Sequence, residues 1–243
     1  MINKKDTTII ILAAGKGTRM NSSIPKVLHE INNKSLIMHV IDCAKKLLPK
    51  KIITIVGYQK DLVVKNLSKE QITFVEQKNQ LGTGHAIKMC LPSLNKFDGN
   101  VLILSGDVPL IKVKTLTSFI NMHNKNNCLA SLITTDLVDP TGYGRIIKKE
   151  SMFERIIEQK DANEEQKKIR EINSGIYIFD SKMLKEKIPS IKNDNAQKEF
   201  YLTDIFNFID KNRISTFKTQ DEHEISGINT IQQLKQLEKQ YII

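Results

Sequence analysis

The chain has 243 residues, 40% of them hydrophobic, enough for one large domain or a domain with a small lobe. Its formal net charge is +10, but the lysines are scattered, no basic run is interleaved with aromatics and there is no Trp, so the charge does not mark a nucleic-acid-binding surface. Cys43, Cys90 and Cys128 lack C-x-x-C spacing and fit free thiols in a reducing cytoplasm; the apolar run after Lys4-Lys5 breaks at Gly15-Lys16, too early for a signal peptide or a membrane span.

Ile9 to Leu12 is a continuous aliphatic run, which predicts a strand buried on both faces of a parallel sheet. It ends in Ala13-Ala14-Gly15-Lys16-Gly17, where small residues let main-chain N–H groups approach an anion. Lys16, Arg19 and Lys26 bring positive charge to the same place. This is a phosphate-cradle pattern, although a surface turn with chance lysines has the same composition. It is not the dinucleotide fingerprint, because Met20 stands at the third glycine position. Nor is it a Walker loop, because Ile10 occupies the first glycine position and Gly17 follows Lys16.

Leu36, Ile37, Val40, Ile41, Ala44, Leu47 and Leu48 share one face of a helix predicted over 34–48, with Ser35 as N-cap. A strand over 52–56, a short helix over 61–67 and a strand over 72–75 follow. This alternation predicts an α/β fold with a mostly parallel central sheet. In such sheets ligands sit beyond the carboxyl ends of the strands, so functional residues are expected just after strands.

Gln77 and Gln80-Leu81-Gly82-Thr83-Gly84-His85-Ala86 come directly after the third strand. The Gln77 amide can accept the N3–H of uracil and donate to O4, or flip and serve cytosine. Gly82 offers an N–H of fixed polarity with room for a base. The same glycines and Thr83 also suit the start of a helix over 85–91. A strand over 100–104 ends in Ser105-Gly106-Asp107-Val108-Pro109. A carboxylate there can hold Mg²⁺ together with substrate phosphates, or cap a helix over 114–122.

Strands are predicted over 128–135, 153–159 and 176–179, with a two-glycine turn over 139–146 and a charged loop with a helical turn over 161–170. Residues 139 to about 200 are read as a smaller sugar-holding lobe. In it Glu158 and Asn173 can bracket hydroxyl or acetamido groups, and Gly144 can supply an N–H, although an isolated Glu is more often simply solvated. An amphipathic helix over about 203–210, a strand over 213–217 and a last helix over 230–241 complete the chain. Asn229 either offers a second hard oxygen to a metal or caps that last helix.

LAAGKGTRM, IPKVLH, QLGTGHA, GDVPL, DPTGYGRI, KDA, EIN-S-G, NAQ-x-E-x-Y-x-TDI and GIN stand in this order across nearly the whole chain. Together they resemble the uridyltransferase domain of bacterial N-acetylglucosamine-1-phosphate uridyltransferases. The resemblance implies a Rossmann-like nucleotide-diphospho-sugar transferase fold, UTP and N-acetylglucosamine 1-phosphate as partners, Mg²⁺ as cofactor, and no nucleic acid or membrane partner. Leu12, Ala13, Ala14, Gly15, Lys26, Gln77, Gly82, Thr83, Ser105, Gly106 and Asp107 would bind the nucleotide. Gly144, Glu158, Asn173 and Asn229 would hold the sugar phosphate, with Tyr201 lining the acetamido pocket. Asp107 and Asn229 would be the metal ligands, and Arg19, Lys26 and Asp107 the catalytic groups.

Two departures stand out. Many relatives have Tyr where Ser105 stands. The family is usually bifunctional, so with residues 1–229 as the transferase domain and 230–243 as a closing helix, an acetyltransferase β-helix domain and its trimer are not expected. A transferase for another sugar 1-phosphate and a non-catalytic nucleotide-sugar-binding protein remain as alternatives.

Overall fold

The computed structural model describes residues 6–241, so positions 1–5 and 242–243 of the expected domain boundaries lie outside the described residues. β1 (Thr7–Ala13) leads through the glycine loop to a hairpin, β2 (Glu30–Ile31) and β3 (Lys34–Ser35), and into α1 (Leu36–Lys46). Next come β4 (Lys51–Val56), α2 (Lys60–Asn66), β5 (Thr73–Glu76), α3 (Thr83–Leu94), β6 (Asn100–Ser105) and α4 (Val113–Lys125). β7 (Ala130–Asp136), β8 (Arg145–Lys149), β9 (Met152–Ile157), α5 (Glu164–Lys167), β10 (Glu171–Asp180), α6 (Ser181–Lys187), β11 (Ile214–Lys218) and α7 (Ile231–Tyr241) follow.

Seven strands form the body of the sheet in the order β11-β7-β10-β6-β1-β4-β5, and the β8–β9 hairpin branches from β10. β1 lies between β4 and β6 and pairs with both in parallel. Its residues alternate between two cores, as a strand covered on both faces must. Ile10 packs with Ile53, Ile55, Val101 and Ile103 on the face covered by α3 and α6. Ile9, Ile11 and Ala13 pack with Val56, Leu102 and Leu104 on the face covered by α1, α2 and α4. Ile9, Ile10 and Ile11 are fully buried, at roughly 1.5–3 kcal/mol each. Within these seven strands β10 alone runs against its neighbours, antiparallel to both β6 and β7. Its N-terminal end therefore lies at the edge where β1, β4, β5 and β6 end. Gly175, at φ +78°, sits in an irregularity of β10 between Asn173 and Tyr177 at that edge.

Three local expectations are corrected. The helix expected from 34 starts at Leu36, because Lys34-Ser35 pair across a turn in which Asn32 and Asn33 are left-handed. Ser35 is the N-cap residue as expected, although its Oγ donates to Asn66 Oδ1 at 3.0 Å and not to the helix. Gly82, not Thr83, is the N-cap of α3, and Thr83 Oγ1 instead accepts from the Leu202 N–H at 3.0 Å. The segment expected as an amphipathic helix is a 3₁₀ helix, Leu202–Phe208. There Phe206 packs against Phe153, Tyr177 and Phe179 at ring separations of 5.4, 5.8 and 5.5 Å. That packing sets its path more strongly than the weak helix propensity of its Thr, Asn and Phe residues.

Candidate active site

The carboxyl ends of β1, β5 and β6 border a cleft of about 750 Å³. Leu12 to Thr18, Lys26, Gln77 to Thr83, Ser105, Asp107 and Glu199 line it. The glycine loop is shaped by Gly17, which is left-handed at φ +63°. A Cβ there would lie 2.5 Å from Lys26 Cβ, so only glycine lets the loop fold onto the lysine stem. Met20, buried in the first turn after the loop, anchors it from below. The N–H groups of Gly15, Lys16 and Gly17 have no acceptor among the described residues. They form the open anion-binding row that the small residues predicted.

Four side chains meet beside this row. Lys26 Nζ donates to Asp107 Oδ2 in a tight ion pair and to Asn229 Oδ1 at 3.1 Å. Arg19 Nη2 donates to the same Asn229 oxygen at 2.8 Å. Asp107 follows the end of β6, where Gly106 N–H bonds the Leu12 carbonyl at 2.9 Å and holds the turn against β1. The Ile228 N–H donates to the Asp107 carbonyl at 2.9 Å, which ties the segment before α7 to the same turn.

Asn229 does not cap α7. Thr230 Oγ1 accepts from the Gln233 N–H at 3.1 Å, and Gln233 Oε1 accepts from the Asn229 and Thr230 N–H groups at 2.7 and 3.1 Å. This reciprocal cap leaves the Asn229 side chain for the cleft. Its Nδ2 donates to the Gly227 carbonyl at 3.1 Å, which turns Oδ1 toward the cations. One carboxylate and one amide oxygen thus share a single cation, Lys26 Nζ. This is a hard-oxygen donor pair of the kind a divalent cation uses when phosphates complete its shell. The described residues contain no group of three or more His, Cys, Asp or Glu able to form an all-protein cage.

At the other end of the cleft Gln77 is 4% exposed. Its Nε2 donates to the Gly82 carbonyl at 3.0 Å and lies 3.0 Å from His85 Nδ1. Gly82 adopts φ +103°, and a Cβ there would meet the Phe200 carbonyl oxygen at 2.6 Å. The close approach is closed by two main-chain bonds, Gly84 N–H to Phe200 O at 2.7 Å and Phe200 N–H to Leu81 O at 2.8 Å.

Gly144, Glu158 and Asn173 gather separately, on the lobe side. Glu158 Oε1 accepts from Thr203 Oγ1 at 2.8 Å, and a Cβ on Gly144 would stand 3.3 Å from Oε2. Burial pushes the Glu158 carboxyl up, partly offset by the Thr203 hydroxyl, with Asp204 and Asp161 adding to the rise. Asn173 is buried: its N–H bonds the Gly144 carbonyl at 2.9 Å, and its Nδ2 donates to Tyr177 Oη at 2.7 Å. Tyr201 is buried in the same lobe, where burial first and the neighbouring Asp161 carboxylate second push its hydroxyl pKa up. Tyr143 bridges the two groups. Burial pushes its hydroxyl pKa up, partly offset by the Gly227 backbone, with Asp107 adding to the rise and Ser226 and Arg19 opposing it.

Sequence reasoning missed Arg145, although it sits in one of the quoted motifs. The residue is 1% exposed; burial pulls its guanidinium pKa down, and the Asp139 carboxylate acts in the opposite sense. It donates to the Tyr143 carbonyl, to Gln159 Oε1 at 2.8 Å and to the Lys167 carbonyl at 3.3 and 3.4 Å. Gln159 Oε1 also accepts from the Gly142 N–H at 3.2 Å, so Arg145 ties the 139–144 turn to α5. Thr203 and His85 were missed as well, because their partners Glu158 and Gln77 lie on other segments; Gln233 was missed although the Thr230-x-x-Gln233 spacing is a local capping-box signal.

A sheet-edge cleft with free main-chain amides, clustered cations and a carboxylate has the groups that hold phosphates in an α/β protein. The chain belongs to the nucleotidyl transferase family, whose sequence profile matches residues 8–222. It is 47% identical over 237 residues to the bifunctional protein GlmU of Acinetobacter baumannii (strain AYE), covering 97% of this chain and 52% of that protein. It is 46% identical to the bifunctional protein GlmU of Alkaliphilus oremlandii (strain OhILAs), covering 94% of this chain and 50% of that one. The chain therefore spans about half the length of the curated relatives it matches. Among solved structures, a UDP-glucose pyrophosphorylase complexed with UDP-glucose superposes with a TM-score of 0.75 at 19% identity, covering 98% of each chain. A putative glucose-1-phosphate thymidylyltransferase from Bacillus anthracis superposes with a TM-score of 0.74 at 20% identity, covering 96% of this chain and 94% of that one. At those identities the likeness concerns the fold alone. Among the described residues no helix is long and apolar enough to cross a membrane.

Proposed function

We propose that the chain transfers the uridylyl group of UTP to N-acetylglucosamine 1-phosphate, giving UDP-N-acetylglucosamine and pyrophosphate. The observation that carries this reading is the meeting of Arg19, Lys26, Asp107 and Asn229 beside the open amide row. The family, and relatives named as GlmU, favour the same class of reaction.

The triphosphate lies along Gly15 to Gly17 with the base toward Gln77 and Gly82. A phosphate oxygen of the sugar 1-phosphate attacks the α-phosphorus. The new P–O bond forms as the bond to the β-phosphate oxygen breaks, and pyrophosphate leaves with that electron pair. The nucleophile is already anionic near neutral pH, so no general base is needed. Lys26 and Arg19 hold phosphate charge, and catalysis is positioning plus charge stabilisation. Asp107 and Asn229 would hold Mg²⁺, which when bound supplies further neutralisation of phosphate charge. Glu158, Thr203 and Gly144 face the sugar, and Asn173 and Tyr177 keep that wall in place.

The test is pyrophosphate release measured across four nucleoside triphosphates with N-acetylglucosamine 1-phosphate and glucose 1-phosphate, with and without Mg²⁺. UTP with N-acetylglucosamine 1-phosphate and Mg²⁺ is expected to give the highest kcat/KM. A preference for glucose 1-phosphate or for CTP refutes the substrate assignment, and binding without turnover refutes the enzyme.

A further inference from the structure

The two ends of a glutamine amide have the same shape and opposite hydrogen-bonding sense. For Gln77 the neighbours decide between them. The Gly82 carbonyl lies 3.0 Å from one end; a carbonyl only accepts, so that end is the NH₂ group. The same nitrogen lies 3.0 Å from His85 Nδ1, which must then be a bare acceptor with the ring proton on Nε2. The ring also engages the backbone of Asn79, and burial first and Lys88 second keep the imidazole toward its neutral form. Phe200 packs beside it with ring centroids 6.3 Å apart. Both amide hydrogens of Gln77 are thereby taken, and Oε1 has no partner among the described residues. The Gly82 N–H, next along the cleft wall, has no acceptor among them either.

We propose that His85 is a specificity-determining positioning residue. Together with the Gly82 carbonyl it locks the Gln77 amide with Oε1 toward the cleft, so that the site accepts a pyrimidine carrying a hydrogen on N3. The acceptor of Gln77 and the donor of Gly82 match the imide edge of uracil, an N3–H beside a carbonyl. Cytosine would set its N3 lone pair against Oε1, and the lock prevents the flip that would relieve it. The inference rests on the reading that the cleft holds a nucleoside triphosphate with its base against Gln77 and Gly82. His85 stands behind Gln77 and is not itself in the cleft lining.

The test is calorimetric binding of UTP and of CTP to the full chain, in wild type and in His85→Leu, His85→Ser and His85→Asn. Two variants remove the acceptor, so one that misfolds does not end the test; Asn replaces it with Oδ1 near the Nδ1 position. Wild type is expected to prefer UTP by on the order of tenfold to a hundredfold, the scale of mispairing one buried hydrogen-bonding group. Loss of the acceptor should cut that preference to about threefold or less, mainly by strengthening CTP, and His85→Asn should restore most of it. An unchanged UTP-to-CTP ratio in a folded Leu or Ser variant overturns the proposal, as does a wild type that binds both equally. Selective UTP binding without transfer to a sugar phosphate sinks the proposed reaction alone, and the variants still decide the role of His85. No binding of either nucleotide sinks both.

Discussion

Gly82→Ala separates the structural demand on the cleft wall from its chemistry. A methyl group at Gly82 would stand 2.6 Å from the Phe200 carbonyl oxygen and 2.9 Å from both the Phe200 nitrogen and Glu199 Cβ. Two of these three atoms are main chain, so the clash is relieved only by moving the 199–201 segment off α3. That movement breaks the Gly84–Phe200 and Leu81–Phe200 bonds, each about 1 kcal/mol. Alanine at φ +103° adds roughly 1–2 kcal/mol of backbone strain. The total is about 3–4 kcal/mol, or roughly 6–16 °C in Tm for a chain of this size. Gly15→Ala is the control: nothing lies within 4 Å of a Cβ there. It should leave Tm within about 1 °C and still weaken UTP binding by crowding the amide row. Calorimetric melting of both variants is the assay. A Gly82→Ala Tm within about 2 °C of wild type would refute the close-approach argument.

Arg19→Ala and Asp107→Ala should each lower kcat about a hundredfold or more, the scale of losing one charge-stabilising group, and steady-state pyrophosphate release at saturating substrates checks this. Arg145→Ala strips donors from the Tyr143 and Lys167 carbonyls inside the lobe. It should destabilise by about 3 kcal/mol or more and raise KM for the sugar phosphate more than for UTP. Equal effects on both KM values would separate the 139–144 turn from acceptor binding. The Glu158 carboxyl is raised on folding, so the folded state binds the proton more tightly than the unfolded chain. Its contribution is most favourable below the ordinary carboxylate range and is lost as pH rises through the raised value. Glu158→Gln should therefore gain Tm relative to wild type at pH 7.5 and lose that gain near pH 4, in melts at matched ionic strength. Chelation by EDTA should abolish turnover and added Mg²⁺ restore it; full turnover in excess chelator would remove the metal from the scheme.

The first half of the fold was legible because its signals are local. Ile9 to Leu12 is apolar without interruption, and the strand–helix alternation that follows leaves few topologies. The strand-end rule then located the glycine loop, Gln77 to Thr83 and Asp107, which the structure brings to one edge. The reversal of β10 was not legible, since direction in a sheet is decided by which neighbour a strand meets and not by its own residues. The 3₁₀ path of Leu202–Phe208 is likewise set by Phe206 seated among distant aromatics. Arg145 gave no local signal, because the groups that satisfy it include the Lys167 carbonyl and Gln159 on other segments. The role of Asn229 stayed ambiguous until Thr230 and Gln233 were seen to close the helix without it.

The solitary antiparallel strand has a consequence for how such a protein can change. On the proposed function the nucleotide cleft is lined mainly by residues 12–107, whereas the 139–175 stretch carries the β8–β9 hairpin that branches from β10 at the side of the sheet. If that assignment holds, insertions or swaps within this stretch remodel the acceptor wall while the nucleotide wall keeps its register. On that reading, divergence in acceptor preference requires little rebuilding of the phosphate end, because most of each wall comes from its own length of chain, Glu199 and Asn229 being the later segments that reach the nucleotide side.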